Sequence, residues 1–105
     1  MAYYYLIGAI LFEVTGTILL PVTNNFTRPL VSIIVGVSYL ASFYMLTYAV
    51  KEIPLAIAYS TWSGLGIFLI AVLGYFIYDQ QIQWQSVVGL FMIVLGVTVV
   101  NYYRV

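Results

Sequence analysis

One acidic residue stands in the middle of an apolar segment near the start of the chain. Glu13 follows Tyr3 by about 15 Å along a helix that rises 1.5 Å per residue. The remaining charged residues stand in polar stretches or near the chain end: Arg28, Lys51, Glu52, Asp79 and Arg104. In a membrane-spanning helix, a central carboxylate costs on the order of 3 kcal/mol, and such acids mark ion or proton pathways. Because removal from water favours the neutral carboxyl group, we expect Glu13 to exchange a proton for a cation.

The residues that share a helix face with Glu13 are mostly small. They lie three, four or seven positions away and comprise Leu6, Ala9, Ile10, Gly16 and Thr17. Small side chains leave room for a ligand or for the close approach of another helix, and Ala9 and Thr17 are candidate site residues. A structural alternative stays open, in which a protonated Glu13 hydrogen-bonds between helices.

Aromatic residues farther along the chain are spaced to surround an organic cation. One helical stripe has the spacing i, i+3, i+4 and i+7 and consists of Tyr59, Trp62, Ser63 and Gly66. Aromatic faces attract organic cations, and a tyrosine hydroxyl can donate a hydrogen bond to a carboxylate. An earlier segment supplies a further aromatic pair one turn apart, Tyr39 and Phe43. Interior packing is the alternative interpretation of this pattern.

Two pairs of glycines have spacings that suggest mechanical roles. Gly64 and Gly66 lie in mid-helix, where closely spaced glycines cause bends, and we predict a hinge there. Gly89 and Gly96 are seven residues apart on one face of the last segment. Small residues on one face of a membrane helix favour close helix contact, so we expect this face to meet a second subunit.

The composition requires a membrane. Hydrophobic residue types make up 65% of the 105 residues and charged types 6%, whereas a soluble domain has about 25% charged residues. The apolar segments are continuous over about twenty residues, which predicts helices rather than barrel strands. The sequence has no cysteine and no histidine, so we expect no metal or cofactor and no enzymatic activity. Neither the zero formal net charge nor the charge distribution suggests nucleic-acid binding.

The segments predict an all-α integral membrane protein with a single domain over residues 1–105. Its four helices are expected at about residues 3–20, 29–50, 54–78 and 85–103, each long enough for ~30 Å of hydrocarbon. Tyrosines and tryptophans at the helix ends are typical of interfacial belts. The termini and the loop at 51–52 share one side, which carries Lys51 and Arg104, against Arg28 on the other. This charge bias favours cytoplasmic termini only weakly, so insertion in either orientation, or pairing with a subunit of opposite bias, stays open.

Four short helices enclose little space, which indicates an oligomer. Two copies would bring two Glu13 side chains together near the membrane centre, and interacting carboxyl groups titrate as a coupled pair.

Several sequence runs resemble the small multidrug resistance transporters over nearly the whole chain. The runs are GAILFEVTGT at 8–17, FTR at 26–28, ASFY at 41–44 and IPLAIAYSTWSGLG at 53–66, followed by Gly89 and Gly96. The resemblance implies an antiparallel dimer in the bacterial inner membrane that exports toxic cations in exchange for protons. It also implies that Glu13 binds both proton and substrate, that Tyr39, Tyr59 and Trp62 line the site, and that Gly64 and Gly66 form the hinge. Gly16 resembles the multidrug branch, since the guanidinium branch typically has Trp there.

The chain departs from the family pattern at a few positions. Pro21 replaces the usual Lys at the end of helix 1, and Asn24-Asn25 replaces an acidic or small residue followed by Gly. Ala56 and Ser60 stand where Gly or Ser, and Ala, are common.

The main hypothesis is a proton-coupled exporter of hydrophobic or quaternary ammonium cations, acting as a homodimer or as a heterodimer with a paralogue. The alternatives are a guanidinium or polyamine exporter, a partner subunit that works only in a heteromer, and a proton-carrying ring subunit of a rotary ATP synthase. Four spans and a high aromatic content argue against the ring subunit.

Overall fold

A computed structural model of the chain describes residues 1–103, so Arg104 of the charge comparison lies outside the described residues. The described chain forms four α-helices joined by short loops and contains no strand. The helices are α1 (Ala2–Leu19), α2 (Pro29–Ala49), α3 (Leu55–Tyr78) and α4 (Trp84–Tyr102). All four are long and apolar enough to cross a membrane, so the chain is an all-α, multi-pass membrane protein.

The end of α1 differs from a simple stop at Pro21. The chain tightens into a 3₁₀ turn, Leu20–Thr23, and the Leu20 amide donates to the Thr17 carbonyl three residues back. Proline has no amide hydrogen and cannot make the next α-helical bond to Thr17. The tighter turn therefore extends the apolar span to Thr23 before the chain leaves it.

The loop between α1 and α2 contains three consecutive residues in the left-handed conformation. Asn24, Asn25 and Phe26 have φ angles of 49°, 58° and 64°. Glycine adopts this conformation freely, and asparagine tolerates it better than most residues. Asn25 therefore occupies the usual glycine position of the family pattern with the next most suitable residue type, while Phe26 is an unusual residue at positive φ.

The packing places α1 between α2 and α3, while α4 packs mainly against α3. The core between α1 and the α2–α3 corner consists of Ala2, Leu6, Ile10, Val14, Ala49, Ile53 and Ala58. The Cα positions extend over 45 × 35 × 17 Å. A slab only 17 Å thick leaves one broad side of each inner helix uncovered.

Most large apolar side chains of the described residues face outward, as the membrane interpretation predicts. Leu30 is 72% exposed, Leu40 73% and Phe76 74%. Within α4, Val97 alone is buried. Lipid, or a second protein chain, must cover these surfaces, because water would make their exposure costly.

A polar junction joins α4 to the other helices at the end of the bundle that carries the N-terminus. The Asn101 side chain accepts a hydrogen bond from the Tyr3 hydroxyl (2.7 Å). Its amide group donates to the Thr61 hydroxyl (2.8 Å) and to the Val97 carbonyl (2.9 Å). One side chain of α4 thus contacts both α1 and α3, which fixes the position of an otherwise weakly buried helix.

Replacing Asn101 with Leu is expected to lower the free energy of unfolding by about 1 kcal/mol, the size of interhelical hydrogen bonds in membrane proteins. Unfolding in mixed detergent micelles would measure it. The matched control is Thr98→Val on the same helix, because the Thr98 hydroxyl donates to the Val94 carbonyl of its own helix. Equal losses in the two variants would contradict a special role for Asn101.

Candidate functional site

The Glu13 carboxylate is half-buried and belongs to a chain of hydrogen bonds between α1 and α2. The Thr17 hydroxyl donates to Glu13 Oε1 (2.8 Å) and lies 2.7 Å from the Tyr39 hydroxyl. Because Thr17 has a single hydroxyl hydrogen and gives it to Glu13, Tyr39 is the donor in the second bond. The two hydroxyl groups therefore orient one carboxylate oxygen and leave the other available.

That second oxygen, Oε2, faces α3 at Gly66. A Cβ atom at Gly66 would lie 2.8 Å from it, so only glycine allows this approach without a shift. An open cavity of about 280 Å³ begins here, lined by Glu13, Thr17, Trp62, Ser63, Gly66, Ile67 and Ile70. Its acidic group and aromatic ring on otherwise apolar walls suit an organic cation.

Three aromatic rings form a cluster beside this cavity. The ring centroid of Trp62 lies 5.7 Å from that of Tyr59 and 5.7 Å from that of Phe43. Tyr59 is 58% exposed and Phe43 53% exposed. The predicted stripe on α3 and the predicted ring on α2 therefore meet, and their faces stay accessible.

Ser42 fixes the orientation of Trp62, although it was not among the site residues predicted from the sequence. The Trp62 indole nitrogen donates to the Ser42 hydroxyl (3.2 Å), which itself donates to the Ala9 carbonyl (2.6 Å). Ala9, a predicted site residue, is buried between the helices and contributes this carbonyl rather than a cavity surface. The sequence signals for Ser42 were its place in the ASFY run at 41–44 and its polar side chain inside an apolar helix, one position before Phe43.

Gly16 provides space for the Tyr39 ring. A Cβ atom at Gly16 would lie 3.2 Å from Tyr39 Cε1 and 3.4 Å from Ser38 Cβ. Any larger side chain would push the ring away, and the hydroxyl chain to Glu13 runs through that ring. The residue type at position 16 is thus linked physically to the carboxylate.

The other three glycines singled out from the sequence divide into two groups. Gly64 is buried, and an added Cβ would meet Val97 Cγ2 at 2.6 Å, so this glycine brings α3 close to α4. The α3 helix continues unbroken through Gly64 and Gly66, and the hinge stays a prediction. An added Cβ at Gly89 or Gly96 would meet nothing within 4 Å, so their shared face is open within this chain.

Among the residues that line the cavity, only Glu13 has an ionisable side chain. Within residues 1–103, no three acidic side chains come together as metal ligands would. A single acidic side chain on an otherwise apolar, open cavity suits the binding and release of a cation or a proton.

Comparison with known proteins identifies the family. The sequence profile of the Small Multidrug Resistance protein family matches residues 1–93. This chain is a member of that family. It is 40% identical to the multidrug transporter EmrE of Escherichia coli over 99 residues, which cover 94% of this chain and 90% of that protein. It is 38% identical over 97 residues to the quaternary ammonium compound-resistance protein QacF of Klebsiella aerogenes, covering 92% and 88% of the two chains.

Family membership decides two of the expectations. Small Multidrug Resistance proteins are transporters, so the prediction of a non-enzymatic membrane protein is confirmed. Because the chain belongs to this transporter family, the alternative of a ring subunit of a rotary ATP synthase is excluded.

Proposed function

We propose that this chain is a proton-coupled antiporter that exports hydrophobic and quaternary ammonium cations across the bacterial inner membrane. The observation that carries the proposal is the Glu13 carboxylate, which has one oxygen held by Thr17 and the other directed at Gly66 on the cavity wall. The relatives named above for multidrug transport and for quaternary ammonium resistance support the substrate class.

Competition at Glu13 couples the two fluxes. A protonated carboxyl group is neutral and has no charge to offer a cation, whereas a deprotonated one attracts it. Cation binding therefore follows proton release, and proton binding displaces the cation. The aromatic faces of Trp62 and Tyr59 add cation–π attraction without demanding one substrate shape, which fits a broad range of hydrophobic cations.

A second copy of the chain completes the site. The slab is thin, the cavity is open on one side, and the Gly89–Gly96 face of α4 is uncovered. We propose an antiparallel dimer in which α4 pairs with α4 and two Glu13 carboxyl groups face one substrate. Two states, each open to one side of the membrane with Gly64 and Gly66 as the α3 hinge, then give alternating access. A heterodimer with a paralogue would use the same surfaces.

The space at Gly16 favours the multidrug class over guanidinium export. A tryptophan there would displace Tyr39, whose hydroxyl supports the chain to Glu13. Transport of guanidinium without any response to tetraphenylphosphonium would contradict this choice of substrate.

A pH titration of tetraphenylphosphonium binding to the purified protein tests the proposal. Affinity is expected to rise with pH and then level off once Glu13 is deprotonated, because proton and cation compete for one carboxylate. The control variant is Asp79→Asn, which removes an exposed acid at the end of α3 and should keep the same profile. An affinity that does not change with pH would overturn the competition mechanism.

A further inference from the structure

A hydrogen bond connects α1 and α3 at the end of the bundle away from the N-terminus. The Tyr78 hydroxyl, on the last residue of α3, donates to the Ile18 carbonyl of α1 at 2.5 Å. Tyr78 is half-buried, and the Glu13 cavity lies between this bond and the N-terminal end of the bundle. Neither the hydroxyl nor the carbonyl takes part in the binding site.

Pro21 explains why the Ile18 carbonyl accepts this bond. In a 3₁₀ turn, a carbonyl bonds the amide three residues later, and for Ile18 that residue is Pro21, which has no amide hydrogen. The 3₁₀ turn begins at Leu20, immediately before the proline. Pro21, which replaces the family's usual Lys, therefore leaves the Ile18 carbonyl without a 3₁₀ bond from position 21, and the Tyr78 hydroxyl of another helix donates to this carbonyl.

The end of α3 is held in the position that this bond needs. Asp79 adopts the left-handed conformation with φ 54°, and its amide bonds the Gly74 carbonyl. The Gln80 amide bonds the same carbonyl at 3.2 Å. Gly74 also leaves room for the Gln80 side chain, whose Oε1 would lie 2.7 Å from an added Cβ. The helix end is therefore a compact cap, and the Tyr78 hydroxyl moves with it.

We propose that the Tyr78–Ile18 hydrogen bond is a latch that keeps the C-terminal half of α3 against α1, with Pro21 providing its acceptor. Tyr78 lies beyond Gly64 and Gly66, and Glu13 and Trp62 lie before the latch on their helices. Any bend of α3 at the two glycines that carries its second half away from α1 must break this bond. The latch therefore stabilises the closed arrangement of this end of the bundle.

Distance measurements between spin labels test the latch in the full-length protein in lipid bilayers. The chain has no cysteine, so cysteines at Thr27 and Gln81, both exposed, give a single labelled pair across the two loops. An excess of unlabelled protein removes distances between subunits. In Tyr78→Phe, the ratio of long to short distances is expected to rise about three- to tenfold, as one interhelical hydrogen bond would give.

Two further variants make the result specific. Tyr75→Phe, one turn earlier on α3 at a ring that is 47% exposed and meets the Phe76 ring at a right angle, should keep the original distances. Pro21→Ala restores an amide hydrogen at position 21, which can donate to the Ile18 carbonyl in place of the Tyr78 hydroxyl. The distances should therefore lengthen as in Tyr78→Phe, and the double variant should show no further lengthening. Unchanged distances in Tyr78→Phe would overturn the latch, and additive effects in the double variant would overturn the part assigned to Pro21.

The consequence for turnover rests on the proposed function, whereas the distances do not. In proteoliposomes, Tyr78→Phe should take up tetraphenylphosphonium faster than the unaltered protein, because the variant lacks the Tyr78–Ile18 bond, which the unaltered protein must break in each transport cycle. If the unaltered protein transports no cation, the proposed function is contradicted, but the spin-label distances still test the latch. Normal transport with unchanged distances would reject the latch alone.

Discussion

Replacing Glu13 with Gln is expected to abolish proton-driven cation transport. The amide keeps the shape of the side chain and can still accept the Thr17 hydrogen bond, but it has no negative charge and no proton to release. Losing one partner of a buried charge pair costs about 2 kcal/mol or more, so tetraphenylphosphonium affinity should fall at least about thirtyfold. Uptake into proteoliposomes under a pH gradient and equilibrium binding at high pH would measure the two effects.

The control for this substitution is Glu52→Gln, which neutralises an exposed acid in the loop between α2 and α3. That variant should transport at the normal rate, because Glu52 is outside the cavity lining. The Glu13→Gln protein should also lose the pH dependence of whatever binding remains. Persistent pH-driven transport by Glu13→Gln would show that another group carries the proton.

Adding a methyl group at Gly66 is expected to impair cation binding more than it affects the fold. The new Cβ would lie 2.8 Å from Glu13 Oε2, and the carboxylate, being the end of a flexible side chain, can rotate away. Rotation would break the Thr17 bond and turn the charge from the cavity, so we expect Gly66→Ala to bind tetraphenylphosphonium about tenfold more weakly, a loss of ~1.4 kcal/mol. Helix stability should not fall, because alanine favours a helix over glycine.

Gly36→Ala is the matched control, because an added Cβ on this α2 glycine would meet nothing within 4 Å. Binding of tetraphenylphosphonium by isothermal calorimetry should be normal in Gly36→Ala and weaker in Gly66→Ala. Thermal unfolding should be similar in both. If the two alanine variants bind equally well, the close approach of Glu13 to Gly66 has no part in the site.

The contacts around Glu13 were partly predictable from sequence periodicity. Thr17 follows it by one helical turn, and the spacing of Tyr59, Trp62 and Gly66 places them on one face of α3. The structure brings α3 against α1 so that Trp62 and Gly66 reach the cavity of Glu13. Ser42 was not predictable in this way, because its importance comes from two partners on different helices, the Trp62 indole and the Ala9 carbonyl.

The ends of the helices also combine features that the sequence predicts with features that depend on helix packing. The proline at position 21 and the polar run after it predict that helix 1 ends there, since proline lacks the hydrogen that continues a helix. The 3₁₀ turn and the bond from Tyr78 depend on how α3 lies beside α1. Asn101 likewise looks like an isolated polar residue in an apolar segment until Tyr3 and Thr61 are found beside it.

The sequence by itself determined the membrane class, the four spans and the single central acid, because hydrophobicity and charge are properties of each segment independent of its neighbours. The tertiary structure alone decided which carboxylate oxygen is held and which faces Gly66, which hydroxyl groups orient it, and that Gly64 and Gly66 face different partners. Those features depend on distances between helices, and contacts of a few ångströms follow from how side chains of separate segments fit together.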